Sequence, residues 1–223
     1  MIATVKNDYG SKFGVPRQAS LSSKNESLIV FEKEYSVNEA VRGLEEFGRI
    51  WVIWEFSENK DKEWTPTVRP PKLGGNKRIG VFATRSPFRP NPIGLSCVEL
   101  VGIEKSDGKI ALRVKGADMI DGTPVYDIKP YIPYADSFPD SPSSFAVDGE
   151  NESKKLDVII DSAADTTALS KDKLEALIET LSFDPRPGYS DDENKIFAMT
   201  YAGCNVKFKV KDKTLVILKI EKE

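Results

Sequence analysis

RPPKLGGNKRIGVFATRSPFRPNPIGLS, Arg69 to Ser96, is rich in proline, glycine and basic residues at once. With Pro66 it holds six of the chain's 14 prolines, and from Thr65 to Val98 there is no Asp or Glu, although charged residues make up 30% of the sequence. Its basic side chains are Arg69, Lys72, Lys77, Arg78, Arg85 and Arg89. Proline fixes backbone direction and guanidinium groups favour planar oxyanions, so a rigid, basic, acid-free loop is built to meet an anion. Within it, Arg85 and Arg89 share one turn set by Pro87, Pro90 and Pro92. The alternative for such a pair is a bond to nearby backbone carbonyls. GGNKRIG (Gly74–Gly80) is not a phosphate loop, because no Lys-Ser/Thr follows the last glycine and Val81-Phe82 open a strand where a helix is needed.

The composition bounds the chemistry. A chain of 223 residues can bury one or two cores. It has no histidine and two cysteines, Cys97 and Cys204. That removes His-based nucleophile schemes, argues against a zinc site and fits a reduced, cytoplasmic protein. No apolar run is long enough to span a membrane, and no h-region follows Met1. The net charge of −3 is uneven: 20 basic and 18 acidic residues lie up to Ser137, against 12 and 17 beyond. Bulk charge gives no RNA affinity, so any RNA contact falls to the local basic patch.

Around that patch, short apolar runs alternate with turns. Glu26–Glu32 (ESLIVFE), Arg49–Phe56 (RIWVIWEF, read as buried on both faces), Ile79–Ala83, Gly94–Ile103, Lys109–Lys115 and Thr123–Ile128 read as strands. Ser36–Phe47 reads as a helix, with Ser36 and Glu39 as a capping box and Gly48 as its stop. Many short strands with one helix predict a small β-barrel or sandwich over residues 1–137. Residues 138–153, rich in Pro, Ser and Asp, read as a linker. Residues 154–223 read as a small α+β domain: a helix at Ser170–Leu181, a rigid turn at Asp184–Gly188 (DPRPG), and strands at Ile196–Tyr201, Asn205–Val210 and Thr214–Ile220.

Two further motifs carry polar chemistry. KFGVPRQ (Lys12–Gln18) places Arg17 and Gln18 behind a Val-Pro turn. DMIDGTPVYDIKPYIPYAD (Asp118–Asp136) sets Asp118, Asp121 and Asp127 near a DGTP turn and Tyr131. Its plain alternative is an Asx-turn. There is no GxGxxG, so the common nucleotide-binding α/β domain is absent.

Together, these three motifs resemble the TsaA-like family. The resemblance implies a small antiparallel β-barrel that binds S-adenosyl-L-methionine outside the usual methyltransferase fold, working as a homodimer with the cofactor near the subunit interface. It implies methylation of N6 of N6-threonylcarbamoyladenosine at position 37, in the anticodon loop of tRNA. Carried over by position, cofactor contacts fall on Pro16, Arg17 and Gln18, on Ser57 and Glu58, on Arg85 and Leu95, and on Asp121, Gly122, Thr123 and Pro124. Relatives commonly have a histidine where this chain has Ser57.

The sulfonium methyl is already electrophilic, so the acceptor nitrogen needs positioning and loss of a proton. Without histidine, Asp118, Asp121 and Tyr131 are the candidate catalytic residues, with Asp127 behind them. Assistance by the substrate's own threonyl carboxylate is the other route. Arg69, Lys72, Lys77, Arg78, Arg89, Lys129 and Arg186 are the candidate substrate and RNA contacts. The competing readings are a methyltransferase of this fold with another acceptor, and an RNA-binding barrel without catalysis. No metal site is expected.

Overall fold

A computed structural model describes residues 1–19, 21–70, 73, 75–146, 155–186 and 192–223. Lys72, much of the expected linker and the end of the DPRPG turn lie outside the described residues.

Six strands form the first unit: β1 (Ala3–Lys6), β2 (Glu26–Phe31), β3 (Arg49–Glu55), β6 (Ile93–Ser106), β7 (Lys109–Lys115) and β8 (Pro124–Pro130). They pair in the order β1-β2-β7-β6-β3-β8, and a short β8–β1 pairing of two residue pairs closes the sheet on itself. Every pairing is antiparallel. Alternate residues point inward, so Val5, Ile29, Ile50, Val52, Val98, Leu112 and Val125 fill a fully buried interior. The β6–β7 hairpin turns through Asp107 and Gly108, at φ 51° and 76°. That is the geometry an Asp-Gly pair supplies most cheaply.

β3 is buried on one face, not on both: Ile50, Val52 and Trp54 are buried while Trp51 and Ile53 are half-covered. The expected helix over Ser36–Phe47 is replaced by one turn, α1 (Asn38–Val41), and a 3-10 turn at Leu44–Glu46. Ser36 does not cap it, because the Ser36 hydroxyl accepts the Ile110 amide of β7 at 2.7 Å. Gly43, at φ 85°, then breaks the helical path. The expected strand at Ile79–Ala83 shortens to β5 (Ile79–Gly80), paired with β4 (Thr67–Val68). Val81–Ala83 winds into a 3-10 turn, and Phe82 is left exposed. A further turn of helix, α2 (Pro133–Asp136), follows β8.

In the second unit, β10 (Phe197–Tyr201), β11 (Cys204–Lys211) and β12 (Thr214–Lys222) form an antiparallel meander, with β9 (Asp157–Ile160) parallel to β12. Helix α3 (Lys171–Ser182) packs against this sheet. Ser170 caps it by accepting the Lys173 amide, and Leu177 and Leu181 are fully buried beneath it. The connector between β1 and β2 leaves the barrel here: its Tyr9 is 1% exposed inside the second core. Cys97 and Cys204 form no disulfide. No described helix is long and apolar enough to cross a membrane.

Candidate functional site

Three loops converge on one cavity of about 670 Å³ at the end of the barrel. The β1–β2 connector contributes Val15, Pro16, Arg17 and Gln18. The turn after β3 contributes Ser57, Glu58 and Asn59. The basic loop contributes Thr84, Arg85, Pro87, Phe88 and Arg89. Trp54, Leu95, Asp118, Met119 and Thr123 line its base and sides.

Eight of the residues expected to touch a cofactor therefore meet in one place: Pro16, Arg17, Gln18, Ser57, Glu58, Arg85, Leu95 and Thr123. Asp121, Gly122 and Pro124 lie beside the lining. The Asp121 carboxylate instead accepts the Asn7 amide at 2.9 Å, and the Gly122 amide donates to Val5. The DGTP turn thus fastens the start of β8 to the connector through a long-range bond, and its local side-chain bond comes from Thr123, whose hydroxyl donates to the Ile120 carbonyl at 2.7 Å, not from an Asx-turn at Asp121.

The lining carries both charges: Lys12, Arg17, Arg85 and Arg89 are basic, and Glu55 and Glu58 are acidic. Arg85 Nη1 donates to Gln18 Oε1 at 2.6 Å, joining the basic loop to the connector. Arg89 is spent on its own loop: Nη1 donates to the carbonyls of Thr84 (2.7 Å) and Val81 (3.3 Å), and its guanidinium lies 5.6 Å over the Phe82 ring. For Arg89, then, the backbone-carbonyl alternative is what the structure holds.

At the base, Trp54 Nε1 donates to Ser96 Oγ at 2.9 Å, and the Ser96 hydroxyl donates to the Asp118 carboxylate. Burial pushes the Asp118 carboxyl above its ordinary range. The Ser96 hydroxyl, the main-chain amides of Asp118 and Ala19, and the Arg85 charge pull it partly back. Gly94 lets β6 run against the Trp54 ring: a Cβ there would stand 2.2 Å from the indole. Sequence reasoning missed Ser96, Gly94 and Asn59. The alternation of β6 was the available signal for the first two, since Ser96 is the polar residue on an inward-facing register. Asn59 carries no such signal.

The other candidates disperse. Tyr131 packs on Trp51 with ring centroids 5.9 Å apart, in a separate hollow of about 450 Å³ that also includes Arg49, Cys97 and Asp136. Asp127 pairs with Lys129 at 3.6 Å on the surface. Arg78 donates to Thr67 Oγ1 at 2.7 Å, bracing the β4–β5 ribbon, and Arg69 and Lys77 are exposed. Arg186 is folded back on Asp184, Nη2 to Oδ2 at 2.9 Å, and its side chain is 16% exposed. Its guanidinium shapes its own turn.

The lining suits S-adenosylmethionine on chemistry as well as size. Arg85 suits a carboxylate, with Arg17 beside it although its Nη2 is engaged by the Asp184 and Arg186 carbonyls; Glu55 and Glu58 suit an ammonium group or ribose hydroxyls, and Phe56, Phe88 and Leu95 suit a purine face, with the buried Trp54 behind them. Lys12 Nζ donates to Asn59 Oδ1 at 3.3 Å, which leaves the buried Asn59 Nδ2 without a partner among the described residues. One donor in the wall is thus uncommitted.

Known proteins match across both units. The family model for the tRNA-methyltransferase O N-terminal domain covers residues 4–137, and that for the TrmO C-terminal domain covers 153–223. The tRNA (adenine(37)-N6)-methyltransferase of Escherichia coli K12 is 38% identical over 225 residues, covering 99% of this chain and 96% of that protein. A protein of Pseudomonas aeruginosa, RcsF, whose name places it among S-adenosylmethionine-dependent methyltransferases, is 40% identical over 68% of this chain and 65% of its own length. A crystal structure of TrmO superposes with a TM-score of 0.78 at 26% identity, covering 99% of this chain and 96% of that one.

Proposed function

The chain belongs to the tRNA-methyltransferase O family, and from that premise we propose that its cavity is the active site of an S-adenosylmethionine-dependent methyltransferase whose acceptor is N6 of N6-threonylcarbamoyladenosine at position 37 of tRNA. The observation that carries this reading is the meeting of the connector, the β3 turn and the basic loop around one cavity. The connector precedes β2 and β3 while the other two motifs follow them, and the fold brings the connector's Gln18 to Arg85.

Bound there, S-adenosylmethionine supplies an electrophilic methyl group. The chain's own residues do the rest. Arg17 and Arg85 hold an anionic end, the aromatic and aliphatic side chains exclude water from a planar ring, and the rigid proline-rich loop keeps Arg85 in place. Asp118 alone among Asp118, Asp121 and Tyr131 lines the cavity. Burial raises its proton affinity, which suits its carboxylate oxygen to take the N6 proton. Arg69 and Lys77, exposed on the same basic stretch, face the anticodon-loop phosphates and the threonyl carboxylate in this reading. The working unit is a homodimer in the cytoplasm. Ile93 and Leu95, 46% and 54% exposed in the cavity wall, leave an apolar rim that a second subunit would cover.

The test is nucleoside mass spectrometry of tRNA from a strain lacking this protein, before and after incubation with the protein and S-adenosylmethionine. One added methyl on threonylcarbamoyladenosine, lost with Arg85→Ala, is the expected result. An unmodified nucleoside with a protein that still binds the cofactor moves the search to another acceptor.

A further inference from the structure

The connector that carries three of the expected cofactor contacts, Pro16, Arg17 and Gln18, is folded largely by the other domain. The barrel holds it at both ends. Asn7 donates to the Met119 carbonyl at 2.8 Å, the Gly116 amide reaches the Asn25 carbonyl, and near the tip Gln18 meets Arg85. Between those points the chain leans on the C-terminal unit. Phe13 stacks on Phe197 and Phe208, with centroids 6.0 and 6.1 Å apart. Gly14, at φ 96°, lies so close to Met199 that a Cβ would stand 2.4 Å from its methyl carbon. Arg17 Nη2 donates to the Asp184 carbonyl at 3.2 Å and to the Arg186 carbonyl. The DPRPG turn therefore acts on the cavity through its backbone.

The return of the connector is locked by a buried polar hub. Asn25, 5% exposed, donates through Nδ2 to Ser22 Oγ (2.7 Å) and Thr180 Oγ1 (2.7 Å), and accepts the Tyr201 hydroxyl at 2.8 Å. Tyr9 and Thr180 share a hydroxyl contact at 3.0 Å. Ser22 and Ser23 donate to Glu179 of α3. A partnered buried network of this kind specifies one arrangement, because any slip leaves polar groups unsatisfied. Neither Asn25 nor Phe13 lines the cavity.

We propose that the C-terminal domain is the mount of the cofactor loop, setting affinity for S-adenosylmethionine in the absence of RNA, with Asn25 and Phe13 as positioning residues. A loop that must be ordered on binding loses affinity by the fraction of time it is out of place. The mount keeps Pro16, Arg17 and Gln18 in place beforehand. This inference rests on the cavity being the cofactor site.

The experiment titrates full-length protein with S-adenosylhomocysteine by calorimetry, without tRNA, alongside hydrogen exchange. Asn25→Ala and Phe13→Ala are expected to weaken binding about tenfold or more. Exchange should rise over the connector while β6 and β7 stay protected. In turnover the KM for S-adenosylmethionine should rise, with kcat at saturating cofactor nearly kept. Lys207→Ala, on a solvated ion pair with Glu221, should bind as wild type does. Should the two variants lose the barrel's protection, the milder Ser22→Ala decides, with a weakening of about two- to threefold expected. Wild-type affinity in a folded variant whose connector exchanges faster overturns the mount. Failure of the wild-type protein itself to bind S-adenosylhomocysteine overturns the cofactor reading beneath it.

Discussion

Arg85 and Gln18, 67 residues apart in sequence, meet at the cavity, with Arg85 Nη1 donating to Gln18 Oε1 at 2.6 Å. This one contact joins the basic loop to the connector, and it leaves the rest of the guanidinium fork to serve a ligand. Removing the two side chains should therefore have different costs. Arg85→Ala deletes a charged donor and releases Gln18. A charge-assisted hydrogen bond contributes about 1.5–3 kcal/mol, so binding of S-adenosylhomocysteine should weaken roughly 10- to 100-fold. Gln18→Ala keeps the cation and loses only its brace, and should cost less. Calorimetric titration of both variants checks the order, and equal losses would show that Arg85 acts only as a brace.

Gly94 makes a prediction with its own control. A Cβ there would meet the Trp54 ring at 2.2 and 2.4 Å, and Trp54 is held by its bond to Ser96. Gly94→Ala should therefore lower stability by about 1–3 kcal/mol, as overpacking does. Gly102, on the same strand, has nothing within 4 Å of a Cβ, and Gly102→Ala should leave the melting temperature nearly unchanged. Thermal denaturation of the two variants is the measurement.

The parts of this fold that sequence made legible are those whose signal is local. Lys109–Lys115 reads as a strand and is one, because Ile110, Leu112 and Val114 alternate into the barrel interior and an Asp-Gly turn precedes it, although Ala111 is buried on the other face as well. The cavity motifs were legible through their unusual content of proline and arginine. What stayed hidden depends on distant partners. Ser36 looks like a helix cap until Ile110, 74 residues on, claims its hydroxyl. Arg186 looks like a free RNA contact until Asp184 and the Arg17 guanidinium close the turn around it. Tyr9 and Phe13 carry no periodicity at all, yet both belong to the core of a domain that begins well over a hundred residues later.

Asp118 should show in two pH profiles at once. Burial raises its carboxyl above the ordinary 3.8, so the folded protein holds this proton more tightly than the unfolded chain does. Stability from the neutral form is complete below the unfolded value and is lost as pH rises through the raised one. Asp118→Asn should thus gain stability relative to wild type across that interval, measured by urea denaturation at a series of pH values. If Asp118 also takes the N6 proton, wild-type kcat rises with pH over the same interval and the Asn variant is slow and flat. A variant with wild-type kcat at every pH would assign the proton to another acceptor.

Glu179 gives the opposite sign, and it sits on the seam between the two domains. Partial burial works to raise its pKa, but the Lys24 amide and the hydroxyls of Ser23 and Ser22, all donating to its carboxylate, leave it below the ordinary 4.5. A lowered folded value means that the stabilisation is present above the unfolded pKa and is lost as pH falls through the folded one. Acid should therefore loosen α3 from the connector before it disturbs the barrel, whose interior is apolar. Wild type and Glu179→Gln should differ in stability above pH 4.5 and converge as the pH drops below it. Because the connector also carries Arg17 and Gln18, affinity for S-adenosylhomocysteine should fall with wild-type stability over the same interval. A Glu179→Gln protein that keeps the full acid dependence would place the titrating group elsewhere on the seam, with Glu175, paired to Lys24 at 2.9 Å, as the next to replace.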